Sequence, residues 1–146
     1  MKTLLTPLLL ILTTLFFVVN ANANAEWTKL ALFSNNETEI YVEKPERYEG
    51  RKVYLWTLQN HINGYTNNDF RSAVLYQELD CSARRYRNLS MKFYRANMGE
   101  GKPEFDDSIT SDWSYPRPDE ISIGAGLTTI YCGVSDMLLK KEGRIK

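Results

Sequence analysis

Only two cysteines, Cys81 and Cys132, occur in this chain of 146 residues, and they follow a leader that reads as an export signal. Lys2 gives the leader its charged start, Leu8 to Val19 an apolar run, and Ala23-Asn24-Ala25 an A-x-A cleavage site. The apolar run is shorter than the roughly 20 residues that span a bilayer, so no stable membrane span is expected after cleavage. Residues 1–25 are therefore read as a secretory signal peptide, and Glu26 as the start of the mature chain. An exported chain meets oxidising conditions, and its two thiols are read as a disulfide rather than as metal ligands. The bond would close a segment of 51 residues. By loop-closure entropy that is worth about 4 kcal/mol, comparable to the net stability of a small domain.

The mature chain has 121 residues, enough for one domain with a modest core, and shows neither a linker nor an internal repeat. Lys2 is the only charge in the leader, so 17 basic and 18 acidic residues remain, a net charge of −1. A nucleic-acid binder would carry a basic excess, and none is expected as a partner here. Nine tyrosines and three tryptophans suit a half-buried pleated surface better than helices.

Short β-runs broken by turn residues make up most of the chain. Trp27 to Phe33 predicts a first strand, ended by Ser34-Asn35-Asn36. Glu39 to Glu43 alternates Ile40 and Val42 with polar residues, and Pro45 stops it because proline cannot donate to a ladder. Lys52 to Gln59 is apolar on both faces, as a central strand would be. Asn60 to Asp69, with His61 and Tyr65, reads as an exposed loop. Phe70 to Cys81 and Arg84 to Tyr94 predict an antiparallel pair across Ser82-Ala83. In the first of these, Ala73, Leu75, Leu79 and Cys81 share a face. In the second, strict alternation puts Leu89, Met91 and Phe93 on one face and Tyr86 and Tyr94 on the other. The stretch from Gly101 to Pro118 reads as a loop or a weak edge strand. Ser122 then fits a helix N-cap, Gly124, Leu127, Thr128 and Tyr131 share a helix face with Cys132 on its flank, and Gly133 fits the C-terminal stop. Gly124 would allow the helix backbone close to the sheet.

Several of these residues also carry a resemblance. Arg71-Ser72 leading to Tyr76, Asp80-Cys81, Met91 to Tyr94, Met98-Gly99-Glu100-Gly101 and Ile130-Tyr131-Cys132 resemble, in order and spacing, the surface-adhesin protein E family from Trp27 to about Gly133. The resemblance implies an α+β fold. A single antiparallel, curved sheet of about six strands would carry a C-terminal helix packed on one face and tied to it by the disulfide. The domain would then be 26–146, with a core of about 27–133 and a flexible tail at 134–146. It also implies a surface protein of a Gram-negative bacterium that binds other proteins, host extracellular-matrix proteins among them, and that can form a homodimer. A lipid-anchored member of such a family needs a cysteine at the cleavage point, where this chain reads Ala-Asn-Ala-Asn-Ala-Glu-Trp. A periplasmic or secreted product is expected instead, and an adhesin role does not follow from the fold alone.

No catalytic grouping is legible. His61 is the only histidine and has no second ligand type beside it, so no metal is expected; a Ser-His pair would have to use it, and no G-x-S-x-G elbow exists. Asp106-Asp107, Glu100 and Glu104 read as solvated loop carboxylates, and no cofactor is expected. Arg84, Arg85 and Arg87 form the densest positive cluster, with Arg85 and Arg87 on one strand face. They read either as a fork-shaped anion site beside an aromatic or as a charged face that discourages strand-edge aggregation. Tyr54, Trp56, Tyr65, Tyr76 and Tyr94 read as an aromatic surface beside the helix or as core. The resulting expectation is a non-catalytic, adhesin-like binding module with Tyr65, Arg85 and Arg87 as contact residues. A periplasmic enzyme or enzyme inhibitor is the competing class.

Overall fold

The computed structural model describes residues 26–64, 69–108, 110–117 and 122–146. The expected leader, residues 1–25, and the candidate contact residue Tyr65 lie outside them. Seven strands form one antiparallel sheet: β1 (Thr28–Lys29), β2 (Thr38–Val42), β3 (Arg47–Glu49), β4 (Lys52–His61), β5 (Ser72–Asp80), β6 (Arg85–Tyr94) and β7 (Phe105–Asp107). Their order is β1-β2-β4-β5-β6-β7, and β3 also pairs with β4. β2 pairs with Thr57–His61 of β4, and β3 with Lys52–Tyr54. They are thus two halves of one neighbouring strand, interrupted at Glu43–Glu46, where Pro45 has no amide to donate. Counted that way the sheet has the six strands expected. Its outermost strands, β1 and β7, have two and three residues, which leaves little edge for another chain to extend.

One helix, α1 (Ile123–Lys141), lies across one face. Its buried residues, among them Leu127, Cys132 and Leu139, recur at helical spacing. Leu127 and Cys132 join Val42, Val53, Leu55, Leu79 and Cys81 in the core cluster. The Ser122 hydroxyl accepts from the Ala125 amide at 3.1 Å, the N-cap that the sequence indicates. Cys81 and Cys132 are bonded, with Cα atoms 5.2 Å apart, which staples the end of β5 to the helix. Gly124 makes the close approach possible: a Cβ there would lie 2.1 Å from the Tyr86 ring.

Four sequence expectations need correction. The helix does not stop at Gly133. It runs eight residues further, to Lys141, so 134–141 are helical rather than tail. Ser135 and Leu139 continue the buried stripe, and burying Leu139 offsets the roughly 1 kcal/mol by which an interior glycine disfavours a helix. The true stop is Gly143 at φ 69°: its amide reaches the Lys140 carbonyl and the Arg144 amide that of Leu139, a Schellman closure. Second, Trp27–Phe33 is not one strand. After Lys29 the chain tightens into a 3-10 turn at Ala31–Phe33, which sets the Phe33 ring against Gly126 of α1. Third, strict alternation fails in β6. Tyr76 opposes Ser90 and Gln77 opposes Asn88, so Leu89 is an extra, bulged residue. The bulge moves Tyr86, opposite Leu79, onto the helix face and separates it from Tyr94. Fourth, β4 extends to His61, which therefore leaves the expected loop: the ring is half-buried, with Nδ1 3.0 Å from the Thr38 hydroxyl. Burial lowers its pKa.

Candidate binding face

Because side chains alternate along a strand, the residues between those of the core point away from α1. Tyr54 and Trp56 flank the core residue Leu55, and their cross-strand partners are Glu78 and Tyr76. Tyr54, Trp56, Tyr76 and Tyr94 accordingly lie on the face opposite the helix, not beside it as the sequence suggests. One end of this face is covered. The turn at Asn97–Gly99 lies on Leu58, Val74 and Tyr94, held by the Met98 amide to Asn60 Oδ1 and the Gly99 amide to Ser72 Oγ, both at 2.9 Å. Met98 and Gly99 both take positive φ there, 59° and 70°, which explains a glycine in this motif.

The rest of the face is a lattice set by register. One row runs Arg47, Tyr54, Glu78, Arg87 across four strands, and the next runs Glu49, Lys52, Asp80, Arg85. Along both rows acid and base face each other across the strands, with the carboxylates Glu78 and Asp80 on β5 and the guanidinium groups Arg87 and Arg85 on β6. Glu78, whose side chain is 2% exposed, accepts from Lys52 at 2.8 Å and from Arg87 at 2.6 Å, with the Tyr54 hydroxyl at 3.3 Å. Asp80 accepts from Arg85 Nε at 2.9 Å and from the Ser82 and Ala83 amides of the following turn. Burial by itself would raise both carboxyls, but the bonds from Lys52 and Arg87 to Glu78, and from Ala83 and Arg85 to Asp80, outweigh it and leave both below their usual values.

That sign has a consequence for stability. A carboxylate held below its unfolded pKa contributes fully above that value and loses its contribution as pH falls through the folded one. Stability should therefore drop on acidification below about pH 4, the range in which unfolded carboxylates titrate. Urea denaturation at pH 7 and pH 3 measures this, and Glu78→Gln should reduce the difference. An unchanged difference would mean that Glu78 does not contribute.

Three aromatic groups ride on the lattice. Arg47 lies over the Tyr54 ring at 4.0 Å. Trp56 stacks on Tyr76 at 4.6 Å, and burial together with a bond to Glu46 pushes the Tyr76 hydroxyl up to about 12. Arg85 and Arg87 both lie over Trp113, at 4.1 and 4.3 Å. Trp113 and Tyr115 are the residues that sequence reasoning missed. Their segment runs beside β6: Ser114 exchanges two backbone bonds with Tyr86, and Ser111 donates to the Asn88 carbonyl. Alternation about Ser114 then places Trp113 and Tyr115 with the arginines, and Arg85 Nη1 lies 3.3 Å from the Tyr115 hydroxyl. The available signal was Trp-Ser-Tyr between turn residues, a single period of strand alternation.

The structure thus brings Arg85 and Arg87 together, but each is already matched to a buried carboxylate, so the pair is not a bare anion site. Arg84 sits in the hairpin turn at φ 51°. Asp106 faces Lys92 at 3.6 Å, and Glu104 faces Arg95 at 3.2 Å. No cluster of three metal-ligating side chains occurs among the described residues. Near the other end of the helix face an open cleft of about 560 Å³ is lined by Leu30, Val42 and Tyr131, with Glu43 and Lys44 among its polar residues.

A single open antiparallel sheet, with a disulfide-stapled helix on one face and a charge-matched aromatic lattice on the other, defines a one-sheet α+β domain. The chain belongs to the surface-adhesin protein E family: the family's sequence profile matches residues 27–133. Among solved structures it is similar to Haemophilus influenzae protein E in crystal form II, with 17% identity, a TM-score of 0.57, and coverage of 75% of this chain and 89% of that one. The selenomethionine form of the same protein matches with 17% identity, a TM-score of 0.52, and coverage of 73% and 85%. At that identity the likeness speaks for the fold. No curated protein matches the chain.

Proposed function

We propose that the protein is an exported, non-catalytic envelope protein that acts as a protein-binding module through the sheet face turned away from α1. The observation that carries this reading is the stack of Arg85 and Arg87 on Trp113, with Tyr115 61% exposed beside them. Tryptophan, tyrosine and arginine supply most of the energy at protein interfaces. Here the guanidinium groups are fixed in advance by Asp80 and Glu78, so little side-chain entropy is left to lose on binding. Tyr65, four residues beyond the end of β4 in the sequence, completes the proposed contact set. Membership of a surface-adhesin family supports another protein as partner, with a host matrix protein or a second copy of the chain as the specific forms it could take. In this reading the leader is removed after Ala25 and the product is periplasmic or secreted. N-terminal sequencing of exported protein should give Glu26 first, and intact Met1 or a lipid-modified species would refute it.

The binding test begins with crosslinking in the envelope to identify the partner. Tyr115→Ala and Tyr65→Ala should each weaken its binding by about tenfold or more with little change in melting temperature. Arg87→Ala must be read beside a melting curve, because it also removes a counter-charge from Glu78. Normal binding by the Tyr115, Tyr65 and Arg85→Ala variants would place the interface elsewhere.

A further inference from the structure

The outward side of α1 is apolar where solvent ordinarily calls for polar groups. Ile130, Val134, Met137 and Leu138 recur at the spacing of one helical face. Ile130, Met137 and Leu138 are 39%, 64% and 42% exposed. None of these belongs to the stripe that α1 buries against the sheet, and all lie in its C-terminal two-thirds. Directly after them the chain turns basic: Lys140, Lys141, Arg144 and Lys146 are all exposed, with Glu142 the one acid among them. Four basic side chains less Glu142 give +3 over the last seven residues of a chain whose formal net charge is 0. The only acid within α1, Asp136, is engaged by Arg51 at 3.0 Å, so it does not cancel this charge.

We propose that this surface docks the protein peripherally on an anionic membrane. The apolar side chains would enter the boundary between headgroups and acyl chains, and the basic end would lie on the phosphates. Lys141 falls on the same helix side as Met137, four residues earlier, so its stem can run along the apolar stripe while its ammonium reaches the headgroups. From Ile130 to Lys141 the helix rises about 16 Å, long enough to lie along an interface. Charge complementarity selects this occupant. An anionic lipid surface offers hydrocarbon and negative charge side by side, as the helix offers apolar groups and positive charge. The contact is peripheral: no helix among the described residues is long and apolar enough to cross a membrane. It lies on the opposite side of the sheet from the proposed protein-binding face, so both could be engaged at once.

The test is co-sedimentation of the disulfide-bonded mature chain with vesicles of phosphatidylglycerol and phosphatidylethanolamine, against vesicles of phosphatidylcholine alone. Binding is expected to the anionic vesicles only and should weaken as salt is raised. Lys140→Ala and Lys141→Ala should each cost about fivefold, since a basic residue near such a surface contributes about that factor. Met137→Ser with Leu138→Ser should cost at least about tenfold. Because Met137 is mostly exposed and both lysines are exposed, the variants should fold, and the lysine pair tests the idea even if the serine pair does not. Failure to bind anionic vesicles, or equal binding to both kinds, overturns the proposal. So does a dimer in sedimentation velocity that the serine pair dissolves, because the stripe would then be covered by a second copy.

Discussion

Replacing Cys81 and Cys132 together by alanine is expected to lower the free energy of unfolding by about 4 kcal/mol. The bond closes a segment of 51 residues, and that segment contains β6, β7, the whole connection to α1 and the first part of the helix itself. Without it the unfolded chain recovers the entropy of the closed loop, while the folded chain keeps its ladders. Both cysteines are also nearly inaccessible, at 3% and 2% exposure, so truncation removes core contacts between helix and sheet as well. Urea denaturation of the parent and the double variant measures the difference. A loss below about 1 kcal/mol would show that docking of α1 does not depend on the staple. Free thiols appearing in the unreduced, unfolded parent would refute the bond itself.

The second large effect is one substitution made at two glycines of the same helix. At Gly124 an added methyl would lie 2.1 Å from one atom of the Tyr86 ring and 2.4 Å from two others. Either the ring or the helix must move, and Cys132 limits how far the helix can. Gly124→Ala should therefore destabilise by about 1–3 kcal/mol, despite alanine's better helix propensity. At Gly133 nothing lies within 4 Å of the added methyl. Gly133→Ala should stabilise by about 1 kcal/mol. Thermal unfolding of both variants gives the two signs directly. Introducing Gly124→Ala into a Tyr86→Ala background should remove most of its penalty, because the clash has been deleted. A penalty that persists would place the strain in the helix backbone rather than at the ring.

Both pairs of variants separate what local sequence signals can carry from what they cannot. Ser122 as N-cap, Pro45 as an interruption, the apolar core of β4 and the face shared by Ala73, Leu75, Leu79 and Cys81 were all legible. Each depends on a residue's own chemistry or on a period of two or 3.6 within one segment. From the sequence the helix is expected to stop at Gly133, whereas it runs on to Lys141 and closes at Gly143. Docking decided, because Ser135 and Leu139 are buried and extend the helix past the first glycine.

The binding face shows the same division more sharply. That Arg85 and Arg87 share one side of a strand follows from alternation by itself. Their partners do not: Glu78, Asp80 and Trp113 come from other strands, and only the register of the sheet sets them opposite. A single bulged residue, Leu89, was enough to put Tyr86 against the helix and to reverse its predicted relation to Tyr94. The amino-acid sequence alone determined the central strands, the start of the helix, the disulfide pairing and the charge inventory, because those depend on composition and short-range order. Which face met the helix, which charges neutralised one another and where the helix ended were decided only by the tertiary structure. Each of those depends on which residues distant in the chain are brought into contact, and short-range periodicity carries no record of that.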